Sequence, residues 1–296
     1  MIDRRADGQG AGNGRGFYAE VSPLPRHRGL VDHIFVLRDR GALTGPGRSV
    51  FATPFREVAL VAACPDDGTA DLSWQLVQVP PRFKRQARAG SLHGWMMGLR
   101  ADPLAAGLDE VSRALWDRSG DLAEILAKEA GLDAVVAWFD GVLDAAAAAR
   151  SDEDPAPQSP QGEALRAWRR VLSARGVASA TIARLARATN ITPRTLQRHV
   201  RARTGLSPKR YAALRRFNAA LHEVAGGSGG FADVAMTAGY CDQAHMTADL
   251  TQHTGAPPGR LRMFARRQSA PDAARYFADA AVRARVTLLL TAPDPT

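Results

Sequence analysis

The stretch Thr192–Tyr211, TPRTLQRHVRARTGLSPKRY, decides how the rest of the chain is read. Thr192 offers a hydroxyl that can cap the first turn of a helix, and Pro193 follows at the position where a missing N–H costs nothing. Gly205 is the matching stop, because glycine adopts the left-handed backbone that closes a helix without steric penalty. Ser207 and Pro208 then open a second helix by the same device. Charge along these helices is one-sided: between Thr181 and Phe217 there are ten Lys or Arg residues and no Asp or Glu. Solvated helix faces ordinarily mix both signs, so a negatively charged partner is expected.

The excess is local. Residues 165–270 carry eighteen Lys/Arg against four Asp/Glu, about +14, while the whole chain sums to +9, which leaves about −5 for the remainder. A polyanion is therefore the expected partner of that region. With 45% hydrophobic and 23% charged residues over 296 positions, the chain has the composition of globular protein and is long enough for two cores. Cys64 and Cys241 are far apart and neither has a CxxC neighbour, so no disulfide framework is expected and a reducing cytoplasm fits. The opening MIDRRADGQGAGNGRG lacks the apolar core of a signal peptide and reads as a flexible tail over 1–16. No run approaches the ~20 apolar residues of a bilayer span. A membrane surface is not an expected partner either, since the arginines fall on short capped helices and not on one long lipid-facing stripe.

RSDEDPAPQSPQG, Arg150–Gly162, is acidic, then rich in Pro, Gln and Ser, and has no apolar period, so 150–162 reads as a linker. Before it, LVDHIFVLRDR, REVALVAAC, DLSWQLVQVP and SLHGWMMGL are short apolar or alternating runs broken by Gly, Pro and Asp, the pattern of strands. The period then changes to 3.6 in ADPLAAGLDEVSRALWDR, GDLAEILAKEAG and LDAVVAWFDGVLDAAAAAR, with Asp102 as cap and Pro103 at a first helical position. Residues 17–149 are thus expected to form an α+β domain, β-rich and jelly-roll or barrel-like, with helices at its end. Residues 163–268 read as an all-α domain, and 269–296 as a partly helical tail whose VTLLL run is too short to cross a membrane.

The all-α part contains a repeat. LARATNITPRTLQRHVRARTGLSP and VAMTAGYCDQAHMTADLTQHTGAPP superimpose with one extra residue in the turn. Ala186 then matches Ala235, Leu196 matches Met246, Val200 matches Leu250 and Gly205 matches Gly255. Each copy is a short helix, a turn and a second helix, and a long helix from Pro208 joins them. A small Ala lets the helices of a pair approach, while the Leu/Val or Met/Leu pair at i, i+4 faces a core.

On LQRHV with Gly205, the connecting LRRFNAAL, and FADVAMTAGY followed by MTADL and Gly255-Ala256-Pro257, residues 165–267 resemble the DNA-binding domain of AraC/XylS-type transcription regulators. The first part is similar to the β-rich sensory or dimerisation domain of some members, through YAEVSPLPRHRGLVDHIFVLRD and HGWMMGLRADPLAAGL. The resemblance implies an effector-responsive, sequence-specific regulator whose two units enter successive major grooves of promoter DNA. By the same resemblance Arg194, Gln197 and Arg198 face bases. Arginine pairs with guanine and glutamine with adenine, each good pair giving roughly 1–3 kcal/mol of discrimination. Thr195, Arg201, Arg203, Lys209 and Arg210 are placed for phosphates, which fix register and make binding salt-sensitive.

The second unit departs from the family's basic pattern. Between Ser228 and Gly259 there is no Lys or Arg, Asp233, Asp242 and Asp249 are present, and Ala248 and Thr251 stand where basic residues are usual. Gln243, His245 and Thr247 are the base-facing candidates there, and the first unit is expected to dominate affinity. Trp74, Phe83, His93, Trp95 and Met97 could line a pocket for a small apolar effector, although such residues on strands are more often plain core. Only His27, His33 and His93 could ligate a metal in the first domain, without an HxH pair or a spaced carboxylate, so neither a metal, a cofactor nor an enzymatic activity is expected. The alternatives are an N-terminal domain that only dimerises, making the protein a ligand-independent DNA binder, and, from a different class, a small-molecule enzymatic activity in that domain. RNA polymerase, an effector and a second copy of the chain are the further partners that the resemblance allows.

Overall fold

The structure, a computed structural model, describes residues 16–40, 49–50, 53–63, 72–80, 86–87, 92–105, 107–127, 131–149, 191–227, 229–268 and 273–291. The expected linker at 150–162, the expected helices of 163–190, Phe83 and Cys64 lie outside the described residues.

Strands form where the sequence alternates. β1 (Phe17–Val21), β2 (His33–Arg40), β4 (Arg56–Ala63), β5 (Gln75–Val79) and β7 (His93–Ala101) join β8 (Val286–Thr291) in a six-stranded sheet of order β5-β4-β7-β2-β1-β8. All its pairings are antiparallel. β3 (Ser49–Val50) and β6 (Gln86–Ala87) form a separate two-stranded pair. Because strand residues alternate between faces, Ala19, Val21, Ile34, Val36, Val58, Leu60, Met97 and Leu99 all point to one side and are buried there. Helices α1 (Leu108–Asp117), α2 (Ser119–Ala127) and α3 (Leu132–Ala149) cover that side with Val111, Leu115, Leu122, Val135, Phe139, Val142 and Leu143. Gly98 lets β7 and β4 approach: a Cβ there would lie 2.1 Å from the Val58 carbonyl oxygen.

The other face of the same sheet is polar yet enclosed. Glu20 and Glu57 are buried, Arg100 reaches both of them, and His33 stands at the start of β2. The layer over this face is the connecting helix Pro208–Gly226, which belongs to a second core built from Leu196, Val200, Tyr211, Leu214, Phe217, Val224, Val234, Met246 and Leu250. Leu104, from the loop after β7, inserts into that second core.

One expectation is corrected. Asp102 and Pro103 do not start a helix: α1 begins at Leu108, after Gly107 in the left-handed conformation (φ 91°). The Asp102 carboxylate instead closes a turn, accepting from the Leu104 N–H at 2.8 Å, and so faces the connecting helix. The tail contains a short helix, Ala280–Arg283, followed by β8, which pairs with β1 and extends the first domain's sheet. Arg285 anchors it, donating to both carboxylate oxygens of Asp140 on α3 (2.7 and 2.8 Å) and to the Ser22 carbonyl (2.9 Å). VTLLL is apolar because it closes a sheet. No helix among the described residues is long and apolar enough to cross a membrane.

Candidate nucleic-acid interface

The helix Pro193–Thr204 starts and stops as its sequence dictates. Thr192 Oγ1 accepts from the Thr195 N–H at 3.1 Å, and Gly205 closes the last turn with φ 74°. Leu196, Val200 and Thr204 are buried, fixing which side of the helix points inward. At roughly 100° per residue, Arg194, Gln197, Arg198 and Arg201 then share one outward stripe, and all four are exposed. Arg203, Lys209 and Arg210 are exposed on flanking turns, and Thr195 is half-buried at the helix start. None of the six basic side chains is in an ion pair among the described residues, so their charge is available to a ligand.

The repeat is reproduced atom for atom at the helix ends. Thr204 Oγ1 donates to the Val200 carbonyl (2.8 Å) and accepts from the Leu206 N–H (3.0 Å). Thr254 does the same with Leu250 (2.7 Å) and Ala256 (3.1 Å). The connecting helix is capped by Ser207 (Oγ to the Arg210 N–H, 3.4 Å) and the helix Gln243–Thr254 by Asp242 (to the His245 N–H, 2.7 Å). Gly239 and Gly255 take φ of 86° and 80°.

With Leu196, Val200 and Thr204 laid on Met246, Leu250 and Thr254, the positions matching Arg194, Gln197, Arg198 and Arg201 are Ala244, Thr247, Ala248 and Thr251. The second unit thus presents a small, uncharged stripe. His245 matches Thr195 at the helix start; it is exposed, with its ring edge-on to Tyr240 at 5.1 Å, and Gln243 is exposed at the first position of the helix. Thr247 is half-buried, and its carbonyl accepts from the Thr251 hydroxyl at 2.7 Å. Asp249 faces neither solvent nor a groove alone, because Tyr240 donates to it at 2.7 Å and His253 lies 3.4 Å away. Sequence reading overlooked Ala244, although the match of Leu196 with Met246 already carried the register that finds it.

The basic run does not all face outward. Arg215 turns from it into the junction between the halves, 3.4 Å from Asp102, 3.6 Å from Asp32 and over the Phe55 ring at 4.9 Å. One turn earlier Tyr211, fully buried, donates to Asp102 at 2.7 Å. Burial, and then the Asp102 carboxylate, push this phenol well above its ordinary value, so it acts as a neutral donor. Further along the same helix His222 stacks on His33 at 5.3 Å and lies 3.5 Å from Glu20. Burial alone would raise the Glu20 carboxyl, but Arg100, then His222 and His33, with the Tyr18 hydrogen bond, hold it at about 2. The connecting helix is therefore tied to the first domain by charged and aromatic contacts over three turns.

Of the residues expected to line an effector pocket, Trp74, Trp95 and Met97 are buried in the first core, with Phe17 edge-on to Trp95 at 5.9 Å. His93 is exposed at the start of β7 and is not gathered with them.

A helix-turn-helix domain family matches residues 185–263. No curated protein matches the chain. Among solved structures, the chain is similar to ToxT from Vibrio cholerae, with 8% identity over 84% of this chain and 98% of that one and a TM-score of 0.39. It is similar over 38% of its length to a transcriptional regulator with an AraC-type DNA-binding domain from Chromobacterium violaceum, 96% of which is covered (18% identity, TM-score 0.32). It is also similar to the DNA-binding domain of AdpA, a global transcriptional factor solved with a target DNA (19% identity, 36% of this chain, 92% of that one, TM-score 0.31). All three TM-scores lie below 0.5. Residues 185–263 form a helix-turn-helix domain.

Proposed function

We propose that the protein is a sequence-specific DNA-binding transcription regulator in which the first unit supplies most of the affinity. The observation that carries this reading is the stripe Arg194, Gln197, Arg198 and Arg201, exposed and without acidic neighbours on a helix whose opposite face is locked into a core. Such a helix can lie in a major groove, its N-terminal residues on base edges and the flanking Arg203, Lys209 and Arg210 on phosphates. The second unit's Ala244, Thr247, Ala248 and Thr251 suit apolar contact with thymine methyl groups and offer no charge to phosphates. Two units about 34 Å apart would meet successive grooves on one side of the duplex. The first domain's part is to sense an apolar effector or to pair two copies, and its tie to the connecting helix is the route by which either event would reach the DNA. Trp74, Trp95 and Met97 fill the first core themselves, so an effector there would have to displace packing.

The test is selection of duplexes from a random pool by the full chain, followed by affinity measurement on the winning sequence and a scrambled one. A preference of at least tenfold that Arg198→Ala removes supports the reading. Equal loss from Arg198→Ala and His245→Ala would refute dominance of the first unit, and no preference at any salt would refute sequence-specific binding.

A further inference from the structure

We propose that Glu20, His33 and His222 form a binding site for a divalent cation that accepts imidazole nitrogen, Zn²⁺ being the reference ion, at the junction of the two halves. One potential ligand atom from each of the three lies within 4.8 Å of the others. Glu20 comes from β1, His33 from the first position of β2 and His222 from the connecting helix.

Glu20 is 2% exposed; its Oε1 is engaged by Arg100 and by the Tyr18 hydroxyl, but its Oε2 has no hydrogen-bond partner. His33 Nδ1 is likewise buried without a partner. Buried polar atoms are almost always satisfied, so two that lack a partner, on residues of one cluster, point to an absent group. His222 Nδ1 lies 3.5 Å from Glu20 Oε2. Ligands at ~2.0–2.1 Å in a tetrahedral set stand ~3.3 Å from each other, so this pair already has the required separation. His33 is the third ligand; its ring lies parallel to that of His222 at 5.3 Å, so a turn of one ring brings both nitrogens onto one ion.

Two nitrogens and one carboxylate oxygen select Zn²⁺, Ni²⁺ or Co²⁺ over Mg²⁺ or Ca²⁺, which require oxygen-rich shells. Three protein ligands leave a fourth position open to water or to a small coordinating ligand. Because the ligands come from the sheet and from the helix that joins the two helix-turn-helix units, the ion would clamp these halves together. Any effect of that clamp on DNA binding rests on the function proposed above; the site itself does not.

The experiment is calorimetric titration of the chelator-stripped full chain with Zn²⁺, with Mg²⁺ as the control and no DNA present. One Zn²⁺ per chain is expected, with a Kd of ~1 μM or tighter as for built three-ligand sites, and no heat from Mg²⁺. His222→Gln and His33→Gln should each weaken Zn²⁺ binding at least tenfold, with melting temperatures in chelator close to the parent's. His253→Gln, outside the cluster, should leave it unchanged. Absence of stoichiometric binding, or binding that both cluster variants retain, or binding that His253→Gln abolishes, would overturn the assignment. Since no DNA is used, failure here is separable from failure of the duplex selection.

Discussion

Tyr211→Phe removes one atom from the junction between the halves, and the structure sets the size of the effect. The hydroxyl is fully buried and donates to the Asp102 side chain, which also faces Arg215, at 2.7 Å. A hydrogen bond to a charged acceptor contributes roughly 1.5–3 kcal/mol, so Tyr211→Phe should cost about 2 kcal/mol. Asp102→Asn should cost at least as much: it keeps an oxygen for the Leu104 N–H but loses the charge that faces Arg215 at 3.4 Å. The two residues are in contact, so their effects should not add; the double variant should be about 1–2 kcal/mol more stable than the sum of the single costs implies. Urea unfolding of the full chain, followed by tryptophan fluorescence, measures all four corners of the cycle. Additivity within ~0.5 kcal/mol would mean that Tyr211 and Asp102 do not meet, and the docking of the connecting helix on the first domain would be refuted.

The six exposed cations on and beside the first unit, among the described residues, contribute up to ~5.4 in magnitude to the log–log salt slope for duplex binding. Arg201→Ala should flatten it by ~0.9 and Thr251→Lys, at the matching position of the second unit, should steepen it by as much. Fluorescence anisotropy from low to physiological salt reads both, and slopes unmoved by either change would sink the assignment of these faces. Gly98→Ala should cost about 3 kcal/mol or abolish folding, because its Cβ would lie 2.1 Å from the Val58 carbonyl oxygen on the neighbouring strand; a thermal melt indistinguishable from the parent's would contradict the β4–β7 spacing. Hydrogen bonds from Arg26 and then His27 hold the Asp144 carboxyl well below its ordinary 3.8. The folded value is depressed, so the stability it contributes is complete above the ordinary value and fades as pH falls below it. Melts between about pH 5 and pH 3 should steepen less for Asp144→Asn than for the parent; identical profiles would disprove the pairing.

How much was legible divides by the range of the interaction. Helix limits at Thr192, Gly205, Ser207, Gly239 and Gly255 are settled within a few residues of themselves, by a side-chain oxygen reaching the N–H three positions on or a backbone only glycine adopts freely, and the chain carries those signals in order. The repeat is equally local, since Leu196, Val200 and Thr204 and their partners recur at one helical period. Strands β2, β4, β5 and β7 follow from alternation, which reports that one face is buried.

What alternation could not say is what buries the other face. Asp102 reads as a helix cap because Asp-Pro usually opens a helix, yet it is held by Tyr211 and Arg215 over a hundred positions away. VTLLL has no local signal of its partner, β1, at the opposite end of the chain. The same holds for His33: within its own domain it had no second histidine or carboxylate at ligand spacing, and only docking of the connecting helix brings His222 to it beside Glu20. The sequence alone determined the capped, duplicated helices and the sign of the charge they present, because those depend on neighbours within a turn or two. Tertiary structure alone decided which arginine is spent inward, where the tail strand pairs and which ionisable groups converge between the halves, because contacts between segments distant in the chain depend on how whole elements pack.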